Sequence, residues 1–480
     1  MHAPFQVTSH NTQPIRITAI IKERNAKANT TVVIDVQRSV KKLVKKTMSN
    51  QLIDITREYP GFEMDLVNAD PSKKVYATIY GNILGPAIDG LETILSRKMI
   101  LDEDKVLKFG TEVIIYKFLK NLGLAATQKA ITALNNVHYY HSESKLILES
   151  LIQSKSNNIG LVALIADIMM DASTIIHVDN NQIEDSLTFI IDQCSKNYNK
   201  FPYDIDLDNR RDINPNLRNV IQAILITKVG LESKNPQTKD WFVPALSKLS
   251  AIRGDDHYNA IVAYTVASTR QFNKAITFLN YINYANLRTG LHQRDFSIYV
   301  ETISYLILTK IILNLDPRLE VMALLEHRQP NGAFYSPYDT YLALKALSAF
   351  SEYRNIGSFV LAFFLDQKYV QINNTLESRT INVNRYNQKL YIDRMALGYV
   401  NVFYEETEII MPKNTSFALK GVKIRRILQT LEITLKIIYK ASLISNLVAV
   451  EVDIPEGYQY HNSNAKTGIL VSQMRKAQIG

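Results

Sequence analysis

With one cysteine in 480 residues, Cys194, the chain can form no internal disulfide. On composition alone, so few thiols lean towards a reducing compartment. Long apolar runs are missing as well. The most apolar short run, IMMDASTII, is broken by Asp171, and nothing approaches the roughly 20 residues of a membrane span. The first residues, MHAPFQVTSHNTQ, lack the apolar centre of a signal peptide. Two options follow: a cytosolic protein, or a piece of a longer secreted one. Sequons at Asn29, Asn373 and Asn414 fit the second option and are glycosylation candidates. Charge of one sign is not in great excess, at +9. Part of it sits in RSVKKLVKKT, Arg38 to Thr47. A patch for nucleic acid is the sharper reading, but a solvated strand or loop face accounts for it, and no nucleic-acid partner is expected.

What is present is globular. Apolar residues make up 46% and charged residues 21%, and the length calls for two to four domains. The chain has three textures. From Pro14 to about Tyr80, short β-branched stretches such as PIRITAIIKER, TTVVIDVQ and KKVYATIYG read as strands. From about Ala87 to Phe364 the apolar positions fall at steps of three and four, as in VLKFGTEVIIYKFLKNLG and IYVETISYLILTKIIL, and read as helices. From about Tyr369 strands return, with VQINNTLE, RTINVN, KLYIDR, GYVNVFYEE, TLEITLKIIYK and LVAVEVDI. Helix pairs recur roughly every 45 to 60 residues, which suits an α/α toroid or an open solenoid. Neither a Gly-rich phosphate loop nor a βαβ alternation is seen.

Four stretches together resemble one family, the alpha-2-macroglobulin and complement-like thioester proteins. They are YGNILGPAIDGLETIL (Tyr80 to Leu95), RGDDHYNAIVAYTVAS (Arg253 to Ser268), RQPNGAFYSPYDTYLALKALSAF (Arg328 to Phe350) and LEITLKIIYKASLISNLVAVEVDIPEGY (Leu431 to Tyr458). Their order and spacing agree with the family's over nearly the whole chain. The resemblance implies an α+β multidomain fold: a thioester-type α/α toroid at 86–365, inserted in a CUB-like β-sandwich at 12–85 and 366–418. A truncated receptor-binding macroglobulin domain would follow at 419–480. After SFALKG only two or three strands are evident, where that sandwich needs about seven, and an incomplete sandwich leaves open strand edges.

The resemblance also locates what is lost. The family's PYGCGEQ follows the LGPA helix where this chain has Lys98 to Asp104. Leu101 stands at the thioester cysteine and Asp104 at the glutamine; Ile100 and Asp102 replace the flanking glycines, and Glu103 alone matches. No thioester is expected. The family's second catalytic position, a histidine or asparagine, falls near Asn209, with no histidine nearby. No catalytic residue, cofactor or metal is therefore expected, and the chain is not expected to be an enzyme.

Other candidate chemistry is weaker. Asp204, Asp206 and Asp208 alternate as in a calcium loop, but Asn209 and Pro215 stand where that loop needs Gly and Glu. Arg210 and Arg211 suit a salt-bridged loop instead. His138 and His141, with Glu143 near, resemble a metal pair, but read better as an aromatic-rich loop after a helix ending at Asn135–Asn136. Cys194 ends the helix IEDSLTFIIDQC without a basic activator and reads as a structural thiol. Asp255–Asp256 reads as an N-cap pair. The toroids of terpene cyclases and prenyltransferases would need DxDD, DDxxD or an Asp, Cys, His zinc set, and the chain has none of these.

As the resemblance has it, the function is that of a non-catalytic extracellular binding protein of innate immune recognition or cell-surface adhesion. Insect macroglobulin-complement-related proteins are the nearest class. The partners would be proteins: proteases, a pathogen surface or a cell-surface receptor. The competing expectation is the C-terminal part of a non-covalent endopeptidase inhibitor whose bait region lies outside this chain.

Overall fold

Along the strand from Lys74 to Tyr80, Val75, Ala77 and Ile79 are buried, the period of two that turns one face of a sheet inward. The computed structural model describes residues 15–23, 26–34, 40–56, 59, 61–66, 73–94, 102–156, 158–196, 225–251, 253–283, 296–355, 361–365, 368–372, 376–383, 388–392, 396–410, 417–427 and 430–439. Two compact units emerge, residues 45–405 and residues 1–44 with 406–480.

The smaller unit holds the antiparallel hairpin of β1 (Ile15–Glu23) and β2 (Ala26–Ile34). It also holds the antiparallel pair of β11 (Phe417–Ile427) and β12 (Thr430–Tyr439). The remaining strands are β3 (Val40–Ile55), β4 (Phe62–Leu66), β5 (Lys74–Tyr80), β6 (Leu361–Leu365), β7 (Lys368–Ile372), β8 (Ser378–Val383), β9 (Gln388–Ile392) and β10 (Ala396–Ile410). They form two four-stranded sheets, ordered β3-β10-β5-β8 and β4-β9-β6-β7. Both sheets share one core: Ile53, Ile55, Val75, Ile79, Val400 and Val402 from the first, Leu66, Leu390 and Ile392 from the second. Two sheets over one apolar layer make a sandwich. Strands from before and after the helices pair directly, with β5 beside β10 and β8.

Between these strands lie the helices α1 (Gly85–Ile94), α2 (Asp102–Asn121), α3 (Gln128–Gln153), α4 (Ile159–Ala172) and α5 (Asn180–Lys196). Then come α6 (residues 225–232), α7 (Pro236–Leu249), α8 (Asp256–Ser268), α9 (Phe272–Asn280), α10 (Phe296–Ile312), α11 (Arg318–Glu326) and α12 (Pro337–Arg354). Two kinds alternate. In α4 and α8 nearly every position is buried, and in α10 and α12 most positions are, as expected of helices enclosed by others. In α3 the buried set is Ala130, Ala133, Val137, Tyr140, Ser144, Ile147 and Leu148, a single stripe at steps of three and four. The enclosed helices pack on one another, α4 on α2, α2 on α12, α12 on α10 and α10 on α8. Lys228 of α6 joins the two ends, bonding Asp167 of α4 and lying over the Tyr264 ring of α8.

Two expectations need correction. The strand texture returns at Leu361, inside the stretch that periodicity assigns to helices. LAFFL is β6, because a short apolar run fits a buried strand as well as a helix. Asn135–Asn136 does not end a helix either; α3 runs on to Gln153. The Asn136 amide donates to Glu112 Oε1 at 2.9 Å, so it is engaged in packing and does not compete for the backbone. His138 and His141 are therefore mid-helix, and no group of three metal-ligating side chains occurs among the described residues. Asp102, Glu103 and Asp104 form the first turn of α2, where carboxylates suit the positive end of the helix dipole.

The alternation along the inner strands joins sandwich and helices. On β3, Ile53 and Ile55 enter the sandwich core, whereas Leu52 joins the helical core. On β10, Val400 and Val402 enter the sandwich, whereas Tyr399 joins the helices.

Candidate functional site

Two of the stretches that carry the family resemblance, GNILGPA and QPNGAF, pack against each other. The turn from Arg328 to Ser336 is closed by Gly332 N to Gln329 O at 2.8 Å and by Gln329 N to Ala333 O at 2.9 Å. Gly332 has φ of +83°, and a Cβ there would lie 2.5 Å from Ala87 N and Pro86 C. This position needs glycine for both conformation and space. The turn feeds α12 through a capping box, Ser336 with Asp339. Phe334 N donates to Thr340 Oγ1 at 2.9 Å. The GNILGPA and QPNGAF stretches, 245 residues apart at Ile83 and Arg328, are thus one local structure: Arg328 Nη1 donates to Ile83 O at 2.6 Å.

Asp104 lies in the first turn of α2, half-buried, and Leu101 falls just outside the described residues. At the two positions the residues offer an alkyl chain and a carboxyl group. Neither supplies the thiol or the carboxamide from which an acyl–sulfur bond could form. The single thiol, Cys194, is on α5 and 1% exposed; burial pushes it up to about 12. It is inert by the rule that the thiolate is the nucleophile.

Of the other candidates, Asn209, Asn373, Asn414 and the Asp204–Pro215 loop lie outside the described residues. Asn29 is on β2 opposite Ile20. Asp255 caps α8, its Oδ1 accepting from Tyr258 N at 2.8 Å, as expected. Asp256 is the first helical residue. Lys45 lies with its ammonium 4.9 Å over the Phe403 ring, so that part of the basic stretch is a strand face resting on an aromatic.

What sequence reasoning missed is a string of charges among the enclosed helices. Asp171 of α4 meets Lys117 of α2 at 3.5 Å and Lys345 of α12 at 2.8 Å. Lys345 also reaches Asp167 at 3.5 Å, and Asp167 meets Lys228 of α6 at 2.7 Å. Lys228 meets Glu232 at 3.0 Å. Burial would raise the Asp167 carboxyl, but the Lys228 and Lys345 ammoniums outweigh it and hold it low. Asp171 is likewise held low, against burial, chiefly by Lys345. Burial would lower both lysines, yet Asp167 holds each of them up. Asp167, Asp171, Lys228 and Lys345 are thus held charged, each opposite a group of the other sign, as burial demands. One signal was legible: Asp167 and Asp171, spaced i,i+4, are the only charges on an otherwise apolar helix. A second buried pair, His257 Nε2 and Glu301 Oε2 at 3.2 Å, joins α8 to α10.

Residues 222–350 match the family model described as the A-macroglobulin TED domain. Among solved structures, the chain is similar to native alpha-2-macroglobulin from Escherichia coli, spanning domain MG7 to the C-terminus. Identity is 12%, covering 86% of this chain and 64% of that one, with a TM-score of 0.46. It is also similar to Salmonella alpha-2-macroglobulin reacted with methylamine, at 11% identity, covering 86% and 27%, with a TM-score of 0.43. For the native conformation of the Escherichia coli protein the figures are 12%, 86% and 26%, with a TM-score of 0.46. The chain thus spans about a quarter of the length of the last two proteins.

Proposed function

We propose that this chain, which carries an alpha-2-macroglobulin TED domain, is a thioester-less binding portion of a macroglobulin-type protein acting outside the cell. The reading rests on Leu101 and Asp104, which the family resemblance sets at the thioester cysteine and glutamine. Without a thiol and an amide there, targets are held by surface contacts and not by an acyl bond. The helical block is read as an α/α toroid, in keeping with its alternation of enclosed and striped helices. The sandwich is read as its CUB-like partner, because strands from both sides of the helical block pair within it. The partners are proteins: proteases, pathogen surfaces or a cell-surface receptor. No helix among the described residues is long and apolar enough to cross a membrane.

Intact mass tests the reading. Closing a thioester between Cys and Gln expels one ammonia, and methylamine then opens it with a gain of its own mass. The native chain is expected to keep its full mass and to take up no methylamine. The double change Leu101→Cys with Asp104→Gln is expected to give only a free thiol and an ordinary glutamine. Methylamine uptake by the native chain, or a denaturation-resistant adduct with a protease, refutes the non-covalent reading. The same preparation separates recognition from inhibition: the chain alone is expected to leave protease activity on a large protein substrate unchanged.

A further inference from the structure

The sheet ordered β4-β9-β6-β7 turns one face away from the sandwich core. Along β9, Leu390 and Ile392 enter that core, and Lys389 and Tyr391 are exposed. Along β7, Ile372 enters it, and Tyr369 and Gln371 are exposed. Along β4, Met64 and Leu66 enter it, and Glu63 and Asp65 are exposed. The period of two therefore sets these six exposed residues on one solvated face.

Register aligns the aromatic positions of that face. Tyr391 of β9 stands opposite Phe364 of β6, and Phe364 stands opposite Tyr369 of β7. Tyr391 is 43% exposed and Tyr369 51%, and among the described side chains of these four strands they are the large apolar groups that reach solvent. They stand two strand spacings apart, roughly 10 Å, about the length of a disaccharide. The rest of the face is polar. The Tyr369 hydroxyl donates to Gln371 Oε1 at 3.3 Å. Lys389 bonds Glu63 at 2.7 Å, and Asp65 stands opposite Lys389 in register. Two acids and one base leave no surplus of positive charge for a sulfated or phosphorylated ligand.

A pyranose ring matches this alternation. Its axial C–H groups pack on the electron-rich face of an aromatic ring, and its equatorial hydroxyls bond carboxylates, amides and ammoniums at the rim. A chain of equatorial linkages is also extended and flat, as an open sheet face requires. We propose that this face binds a neutral, extended polysaccharide of the chitin or cellulose kind, laid across the strands with sugar rings packed on Tyr391 and Tyr369. The contact does not involve Leu101 or Asp104, so glycan binding and methylamine uptake are read separately.

Calorimetry on the full chain tests it, with chitohexaose, cellohexaose, maltohexaose and dextran sulfate as probes. Chitohexaose or cellohexaose is expected to bind. Maltohexaose, which coils, and dextran sulfate, which is anionic, are expected to bind at least about tenfold more weakly. Tyr391→Ala and Tyr369→Ala are each expected to weaken the bound hexasaccharide about tenfold, and the double change to abolish binding with the melting temperature little changed. Tyr391→Phe and Tyr369→Phe keep the ring and are expected to keep the affinity within about threefold. Leu319→Ala, at an exposed position of α11, is expected to change nothing. Failure of the native chain to bind either extended hexasaccharide overturns the proposal. So does undiminished binding by the double alanine variant, or binding of maltohexaose or dextran sulfate as tight as that of the extended chains.

Discussion

Arg354, on the last turn of α12, places Nη2 2.8 Å from a carboxylate oxygen of Asp54 on β3, across 300 residues of sequence. Asp54 is 0% exposed at its side chain and also meets Arg318 of α11 at 3.2 Å. One acid on a strand thus holds two helices against the sandwich. A second junction lies two turns of the pleat away. Asn50 donates to Leu325 O and Arg328 O at 2.8 Å each and accepts from Tyr399 and Asn401 at 2.5 and 2.7 Å.

Removing the first junction is expected to cost heavily. Asp54→Ala takes the carboxylate from Arg318 and leaves Arg354 with Asp316 alone, and breaking one side of a buried ion pair costs about 3 kcal/mol. Urea unfolding of the variant is expected to show a lower midpoint. A midpoint within error of the native one would mean that the pair contributes nothing net.

Gly332→Ala tests the turn that meets α1. The new methyl would press on the Pro86–Ala87 peptide at 2.5 Å in a backbone region L-residues avoid. A loss of about 2 kcal/mol is expected. The same change at Gly123, also at positive φ but with open space around it, is expected to cost about half as much.

Glu112 gives stability a pH slope. It is 0% exposed on α2, and burial raises its carboxyl from 4.5 to about 7, against the Asn136 bond and Lys108. The folded form holds its proton more tightly than the unfolded one. Its contribution is complete below about pH 4.5 and is lost as pH rises through 7, by up to about 3 kcal/mol. Glu112→Gln keeps the group neutral, so its unfolding free energy is expected to stay flatter across that window. The two proteins are expected to converge below pH 4.5.

Cys194 is expected to resist alkylation. With the thiol at about 12 and 1% exposed, iodoacetamide at pH 8 should label the native chain at least about a hundredfold more slowly than the denatured one. Equal rates would place the thiol at the surface.

Much was decided by local sequence. Period two along Val75, Ala77 and Ile79 and period 3.6 along α3 follow from residue order, because each residue's side-chain direction is fixed by its own backbone. The acid at Asp255 marked the start of α8, since a cap acts within one turn. That Leu101 and Asp104 carry neither thiol nor amide is a matter of residue identity alone. Other outcomes depended on what lies far off in the chain. Whether LAFFL became strand or helix was settled by β7 and β9 pairing with it. Whether α3 continued through Asn136 was settled by Glu112 on another helix. Asp167 and Asp171 could be seen to interrupt an apolar helix, but their meaning lay in Lys228 and Lys345, 61 and 174 residues away. Compensation of a buried charge is a property of distance in space, and only the packing of the helices on one another brings those lysines near.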